Sequence, residues 1–273
     1  MEPSRHGLIA LCSCVAFLLV HVGFDGQLWI AGVVFTPSSG LAVPLGMGFG
    51  MPAAVGLAAG AVAKDLLRMT LSAETALSAL SLFVAAAFAA VCWRGWPSPA
   101  AVDGRRLDRW LAVAGLVVSA SALGAATFAW GSELVGIHPF YLAFGATFVS
   151  FLGSALAWLV VAALLVTRGW LPERVARIVA RPTARVPSVR PRRLLTVLPV
   201  VWAVAGLLWS VGFRIRERAP LDGFERLGLE ALYYGIHPDL FGRGGRRAQV
   251  VFGALMGSLL VVVLRRSTDG ASN

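Results

Sequence analysis

The feature of this sequence that most constrains its fold is a succession of apolar blocks that covers nearly the whole chain. A helix needs roughly 20 apolar residues to cross a bilayer, and only short polar gaps separate the blocks. Only 14% of the 273 residues are charged, against about 25% in a soluble domain. We therefore predict an all-α fold, a polytopic helical bundle integrated in a membrane. The blocks are residues 7–24, 27–37, 40–63, 75–93, 110–131, 139–167, 194–213 and 247–264.

The blocks divide into two groups around a polar stretch. Residues 1–168 form a six-segment membrane core, and residues 194–273 form an extension with two further transmembrane helices. Residues 169–193 are rich in arginine and proline and have no apolar periodicity, which is typical of a cytoplasmic linker. Residues 221–234 alternate leucines with charged residues and are predicted to lie as an amphipathic helix on the membrane surface. The sequence leaves the orientation of the last two helices open.

Two blocks have irregular features. Residues 27–37 are too short to cross alone and are predicted to form a tilted or broken helix, packed inside the protein or lining a cavity. The third block repeats small residues every four positions, from Gly46 to Ala58, so we expect it to pack closely against its neighbours. Pro52 is a candidate for a kink in that helix.

The basic residues lie mainly at the ends of the apolar blocks, and the net charge is +10. This is the positive-inside pattern of a multi-pass protein of the cell membrane, with lipid as its partner and no nucleic acid. The three cysteines fall inside apolar blocks, where a thiol behaves as a small hydrophobic group. We expect neither a disulfide framework nor a metal site, and no cofactor.

Several polar residues fall on one predicted side of the membrane. With a cytoplasmic N-terminus, the ends of the first and third helices and the loop after the fifth are all on the outer side. The pattern permits ordinary interfacial caps and belt aromatics, or a shared outward-facing ligand pocket. For the pocket, the candidate ligand-binding residues are His21, Asp25, Trp29, Asp65, Glu133, His138 and Tyr141.

Catalytic motifs are poorly represented. The run Pro37-Ser38-Ser39-Gly40 is similar to the serine loop of rhomboid proteases, but the Gly-X-Ser-Gly pattern is broken and no histidine stands in a later helix core. The sequence contains no zinc-protease His-Glu-X-X-His and no Walker-type loop. We therefore predict that the chain is not an enzyme.

Residues 1–168 resemble the substrate-binding S components of energy-coupling factor transporters. The run from Pro44 through Gly50 and Gly60 to Asp65 is similar to the Gly-rich third segment of that family, and the run from Glu133 to Phe140 is similar to the entry of its sixth helix. The resemblance implies a vitamin-like or metal-ion solute held by the outer loops after helices one, three and five, near Asp25, Asp65 and Glu133. It also implies separate ATPase and coupling subunits as partners. The first helix departs from the family, since Ala10 and Cys14 stand where an Ala-X-X-X-Ala surface is expected, and the two-helix extension is not typical of it.

A second resemblance is to the MASE-type membrane-sensor domain. Its signature Trp-Pro-Pro-Ser-Gly-Leu-Ala is similar to residues 35–42, and eight spans suit that domain. This resemblance implies a ligand or signal sensor that works with a separate output protein. A small-solute binding component of an uptake transporter is the first prediction, and a membrane sensor is the alternative.

Overall fold

The computed structural model describes residues 3–25, 28–30, 33–94, 106–138, 140–168, 197–210, 250–259 and 262. Eight α-helices are present in these ranges: α1 (Pro3–Phe24), α2 (Ala42–Phe49), α3 (Met51–Leu67), α4 (Ala73–Arg94), α5 (Arg106–Val135), α6 (Phe140–Thr167), α7 (Val197–Ser210) and α8 (Val250–Leu259). Within the described ranges, α1, α4, α5 and α6 are long and apolar enough to cross a membrane. These apolar helices are compatible with an α-helical integral membrane protein.

The residues between α1 and α2 differ from the prediction of a broken helix over residues 27–37. Strands β1 (Leu28–Ile30) and β2 (Val33–Phe35) pair antiparallel, with Leu28 opposite Phe35 and Ile30 opposite Val33. A 3₁₀ turn (Ser39–Leu41) then leads directly into α2. The helical interpretation of this block is wrong, and the β-branched Val33 and Val34 fit the extended backbone that is observed.

The glycine-rich block is two helices rather than one. The chain breaks at Gly50, whose φ of 76° is a left-handed value that favours glycine, and α3 starts at the next residue. Pro52 lies in the first turn of α3, where its missing N–H leaves no helical bond unmade, so it starts a helix instead of kinking one. The predicted irregularity is therefore real, but it lies two residues before the proline.

Small residues bring the helix backbones together, as the spacing predicts. A Cβ at Gly56 would come within 2.9 Å of the Ala10 carbonyl carbon, and one at Gly60 within 2.9 Å of the Phe17 ring. Between α2 and α4, a Cβ at Gly46 would come within 2.9 Å of the Ala86 Cα. Because close approach is the main source of helix association in lipid, these glycines fix how α1 packs on α3 and how α2 packs on α4.

These contacts also give the direction of each segment. Ala10 meets Gly56 and Phe17 meets Gly60, so α1 and α3 run in the same direction. The chain between them must therefore return through the bundle, and the residues from Thr36 to α2 make that return. We call residues 36–49 the return segment. Its non-helical part is buried against α6, where a Cβ at Gly40 would meet Ser154 and Ala155, which is how irregular backbone is tolerated at membrane depth.

Helices α5 and α6 contact both the other helices of the six-segment core and the helices of the extension. The main apolar core joins Phe88 of α4, Leu123 and Trp130 of α5, and Phe140 of α6, and it extends to Trp202 of α7 and Met256 of α8. The helices of the extension therefore pack on the six-segment core. The number of eight crossings stays a prediction, and the linker 169–193 and the amphipathic segment 221–234 lie outside the described residues.

Candidate functional site

A cavity of about 470 Å³ opens between the ends of α1 and α3, the return segment, and helices α4, α5 and α6. Ligand pockets commonly have volumes of about 300–1,000 Å³, so this cavity has the size of a small-molecule site. One part of its wall is aromatic and aliphatic and another is rich in hydroxyl groups. The lining residues are Phe17, His21, Asp25, Thr36, Ser38, Ser39, Ala61, Lys64, Glu74, Ser78, Ser81, Leu82, Phe128, Ala146, Thr147, Ser150 and Phe151.

Asp25 organises the polar wall. Its carboxylate accepts the backbone N–H of Ser38 at 3.0 Å and the hydroxyl of Ser38, and it contacts Nδ1 of His21 at 2.7 Å. Its side chain is only 4% exposed. A buried carboxylate is costly unless its lone pairs are matched by donors, and here three donors surround it. The carboxylate therefore fastens the return segment to the end of α1, and we call this cluster of His21, Asp25 and Ser38 the clasp.

A second set of hydrogen bonds fastens the return segment to α6. The hydroxyl of Ser150 accepts the backbone N–H of Thr36 at 2.9 Å and pairs with the Thr36 hydroxyl at 2.5 Å. Nearby, Nε1 of Trp158 donates to the carbonyl of Pro37 at 2.9 Å. These bonds satisfy backbone groups that no helix or strand supplies with partners. The return segment is thus held between α1 and α6 at the wall of the cavity.

His21 has one satisfied and one unsatisfied ring nitrogen. Its Nδ1 contacts Asp25, whereas Nε2 is buried and has no hydrogen-bond partner among the described residues. The imidazole stacks on Phe17, with ring centroids 6.2 Å apart and planes 3° from parallel. A buried polar nitrogen without a partner costs free energy, and Nε2 of His21 is the one such atom among the cavity-lining side chains that the structure describes.

Charges at the cavity come from both signs. Lys64 lines the cavity, and its Nζ lies 3.2 Å from Oδ1 of Asp65. The Asp65 carboxylate also accepts the hydroxyl of Thr75 at 2.6 Å, which ties the end of α3 to the start of α4. Glu74 lines the same cavity from the first turn of α4 and is exposed. Besides Asp25, the charged groups of the lining are therefore a paired lysine and an exposed glutamate.

The structure places the sequence-predicted site residues in three groups. His21 and Asp25 line the cavity, and Asp65 adjoins it through its ion pair with Lys64. Trp29 lies in β1 opposite Val34 in the hairpin. The remaining three do not belong to the described lining of the cavity: Glu133, His138 and Tyr141.

Glu133, His138 and Tyr141 have other surroundings. Oε1 of Glu133 accepts the hydroxyl of Ser210 at 3.2 Å, on the side of α5 that faces α7. His138 is exposed in the turn after α5. Gly136 at φ 81° closes that helix: its N–H donates to the Glu133 carbonyl, and the N–H of Ile137 donates to the Ser132 carbonyl. Tyr141 is half-buried in the first turn of α6. None of the three is part of the cavity lining that the structure describes.

Sequence reasoning did not identify the hydroxyl residues of the site. Thr36 and Ser38 were noted only in the run that resembles the sensor domain, and Ser38 also in the protease-like run, while Ser150 stands in an apolar helix with no motif. A signal was available in the run Thr36-Pro37-Ser38-Ser39, since a polar run between apolar blocks needs partners when it lies at membrane depth. No comparable signal marks Ser150, whose role depends on which face of α6 meets the return segment.

The arrangement around Ser38 differs from that of a catalytic serine. A nucleophilic serine donates its proton to a general base, and an orienting carboxylate holds the far side of that base. Here the Ser38 hydroxyl donates to Asp25, so the carboxylate stands between the hydroxyl and the imidazole. In the described ranges no three His, Cys, Asp or Glu side chains gather as a metal site. The geometry is suited to holding a segment and presenting polar groups to a cavity.

Comparisons with protein-family models, with curated proteins and with solved structures found no match for this chain.

Proposed function

We propose that this protein is the solute-binding component of a membrane uptake transporter, and that the solute is a small molecule held in the cavity. The observation that carries the proposal is the cavity itself, which has a ligand-sized volume, aromatic and hydroxyl walls, and a polar cluster built from distant parts of the chain. Ligand sites are typically concave, with a few polar groups fixed by their surroundings. His21 and Asp25 come from the end of α1, which is one of the places that the resemblance to S components implies.

The solute would be held by side chains that are already positioned. Asp25 and Ser150 are engaged with the return segment, so the hydroxyl wall keeps its shape when the cavity is empty. A preformed site avoids the entropy cost of ordering its side chains when it binds. Movement of the solute across the membrane would require the coupling and ATPase subunits that the resemblance implies, located at the cell membrane.

A membrane sensor is the second candidate, and a specific observation favours it. Residues 35–42, which carry the resemblance to the sensor domain, include Thr36, Ser38 and Ser39 of the cavity lining and lead directly into α2. A ligand that contacts these residues would act on a segment packed against both α4 and α6. In that case the separate partner is a signalling protein rather than an ATPase.

Co-purification in mild detergent tests both candidates. The tagged chain is isolated from its native membrane, and mass spectrometry identifies the polypeptides and small molecules that stay bound. An ATPase pair with a membrane coupling protein supports the transporter, and a kinase or other signalling protein supports the sensor. If neither partner is retained under conditions that preserve known complexes, the transporter proposal fails.

A pair of variants connects the result to the cavity. Asp25→Ala removes the acceptor of the clasp, whereas Thr127→Ala removes a hydroxyl that bonds only within its own helix, to the Leu123 carbonyl at 2.8 Å. We expect the first variant to lose the bound small molecule and the second to keep it. Retention of the molecule by the folded Asp25→Ala protein would place its site elsewhere.

A further inference from the structure

The side chains that line the cavity change in character from its mouth, where α1 and α3 end and α4 begins, to its floor. On the α1 side, Asp25 directly follows the helix, and Phe17 lies eight residues earlier. On α4, Glu74 is in the first turn, and Leu82 lies eight residues later. Eight residues of helix rise about 12 Å, so charged groups at the mouth and apolar groups at the floor are separated by about that distance.

Glu74 is the charged group that a molecule entering the cavity can reach. The α4 residues of the lining are Glu74, Ser78, Ser81 and Leu82, and their spacing places them on one face of the helix. Side chains on a helix tilt toward its N-terminus, so Glu74 is directed to the mouth. It is exposed, and it has no hydrogen-bond or ion-pair partner among the described residues. An exposed glutamate is ionised at neutral pH.

The aspartate and the lysine of the described lining already have partners within the protein. The Asp25 carboxylate accepts the N–H and the hydroxyl of Ser38, and Nζ of Lys64 lies 3.2 Å from Oδ1 of Asp65. A molecule that fills the cavity takes water away from Glu74, and a charge that loses its water without gaining a partner costs free energy. A cationic group on that molecule offsets the cost with a charge-assisted hydrogen bond. The mouth therefore favours a cation.

The floor of the cavity favours an apolar body. Phe17, Phe128 and Phe151 line the cavity from α1, α5 and α6, and Leu82 lines it from α4. Burial of apolar surface against such walls is favourable roughly in proportion to the area removed from water. The cavity is thus matched to a molecule that is charged at one end and apolar at the other.

We propose that the solute of this cavity is an amphipathic amine, a monocation whose ammonium group contacts Glu74 at the mouth and whose apolar body lies among the phenylalanines of the floor. Glu74 is then the residue that determines the charge of the solute. This inference rests on the proposed function in taking the cavity as a solute site. The energy source and the partner subunits do not enter it.

The test uses three probes that share a phenylethyl group and differ at its end. Phenethylamine carries an ammonium group, 2-phenylethanol a hydroxyl and 3-phenylpropanoate a carboxylate. Equilibrium dialysis measures their binding to the full chain in phosphatidylcholine nanodiscs, and empty nanodiscs correct for partition into lipid. We expect the amine to bind about tenfold more tightly than the alcohol, and the carboxylate to bind most weakly. Ethylamine lacks the ring and should bind at least about tenfold more weakly than phenethylamine.

Three variants separate recognition by Glu74 from a structural role. Glu74→Gln keeps the size of the side chain and removes its charge, so it should unfold at the wild-type temperature and bind the amine and the alcohol equally. Glu74→Lys reverses the charge and should prefer the carboxylate to the amine. Glu133→Gln is the matched control, because Glu133 is not part of the described lining, and it should keep the wild-type order of the probes. A glutamate that only stabilised the N-terminus of α4 would affect the unfolding temperature and leave that order unchanged.

The outcomes distinguish this inference from the proposed function. Preference for the amine in the wild type, its loss in Glu74→Gln and its reversal in Glu74→Lys support the inference. Equal binding of the amine and the alcohol to the wild type, an unchanged preference in Glu74→Gln, an equal loss in Glu133→Gln, or no binding of any probe overturns it. The proposed function fails separately, when the amine binds as described but no ATPase partner is retained. It stands with a different solute when the partner is retained but the amine is not preferred.

Discussion

The cavity and the contact of α5 and α6 with α7 and α8 are two regions of the bundle that are held together in different ways. At the cavity, hydroxyls, a carboxylate and an imidazole are connected by hydrogen bonds. At the contact with α7 and α8, rings pack together in a group that we call the aromatic seam, formed by Trp130, Phe140, Phe144, Trp202 and Phe252. The first region is hollow and held by directed hydrogen bonds, and the second is filled and held by packing.

Both regions contain buried polar atoms without partners, so the difference between them lies in the contacts around those atoms. In the seam, the Nε1 atoms of Trp130 and Trp202 have no hydrogen-bond partner in the described part of the chain, and the rings that carry them pack against other rings. At the cavity, Nε2 of His21 has no partner among the described residues, but Asp25 and Ser150 are joined to the return segment by hydrogen bonds. We infer that the seam serves stability and the cavity serves binding, so substitutions in the two regions should have separable effects.

The largest effect on stability is expected from Trp130→Ala in the seam. Trp130 contacts Phe140 at 5.7 Å, Phe252 at 5.8 Å and Trp202 at 6.3 Å between ring centroids, so its removal leaves a cavity among three helices. We expect unfolding to become easier by about 3–5 kcal/mol. Thermal unfolding in detergent measures the loss. The folded variant should retain the small molecule that co-purifies with the wild-type chain. If the folded variant lost that molecule, the seam and the cavity would be coupled.

A smaller loss of stability with a complete loss of binding is expected from Asp25→Ala. The substitution leaves the Ser38 N–H, the Ser38 hydroxyl and Nδ1 of His21 without their common acceptor, which costs about 2–4 kcal/mol. Thermal unfolding and retention of the co-purified small molecule are measured as for Trp130→Ala. The matched control is Glu74→Gln, which changes an exposed carboxylate at the same cavity and should shift stability by less than about 0.5 kcal/mol. Equal effects of the two substitutions would mean that the clasp does not hold the return segment.

The third prediction concerns the bond between the return segment and α6. Ser150→Ala removes the acceptor of the Thr36 N–H and the partner of the Thr36 hydroxyl, and we expect a loss of about 1–2 kcal/mol. Thr127→Ala is the control, because its hydroxyl bonds within its own helix and should be nearly neutral. Thermal unfolding compares the two variants. An effect of Ser150→Ala no larger than that of the control would leave Trp158 and the clasp as the holding contacts.

The sequence predicts depth in the membrane better than it predicts direction around a helix. Block length and charge locate His21, Asp25, Glu133 and His138 near one membrane face. Which of them meet depends on the rotation of each helix about its axis, and the apolar blocks have little amphipathic pattern because lipid and protein interior are similarly apolar. His21 and Asp25 therefore lie at the cavity, whereas Glu133 faces α7.

The irregular part of the fold was predicted in kind but not in form. Residues 27–37 were identified as too short to cross, and the hairpin with its return segment is the result. Hydropathy cannot distinguish a short apolar helix from a short apolar strand, since both are continuous runs of similar length. Gly50 and Pro52 together indicated a break, but the left-handed backbone at Gly50 decides where it occurs.

The smallest effect, and the one that decides the assignment of Glu133, is expected from Ser210→Ala. The Ser210 hydroxyl donates to Oε1 of Glu133 at 3.2 Å, and its loss should cost about 0.5–1 kcal/mol. Because this bond connects α5 to α7, retention of the co-purified small molecule should be unchanged in Ser210→Ala and in Glu133→Gln. Thermal unfolding and retention are measured as for Asp25→Ala. If Glu133→Gln lowers retention while Ser210→Ala does not, Glu133 acts on the solute as the sequence predicts, and the cavity and the seam are not separate in function.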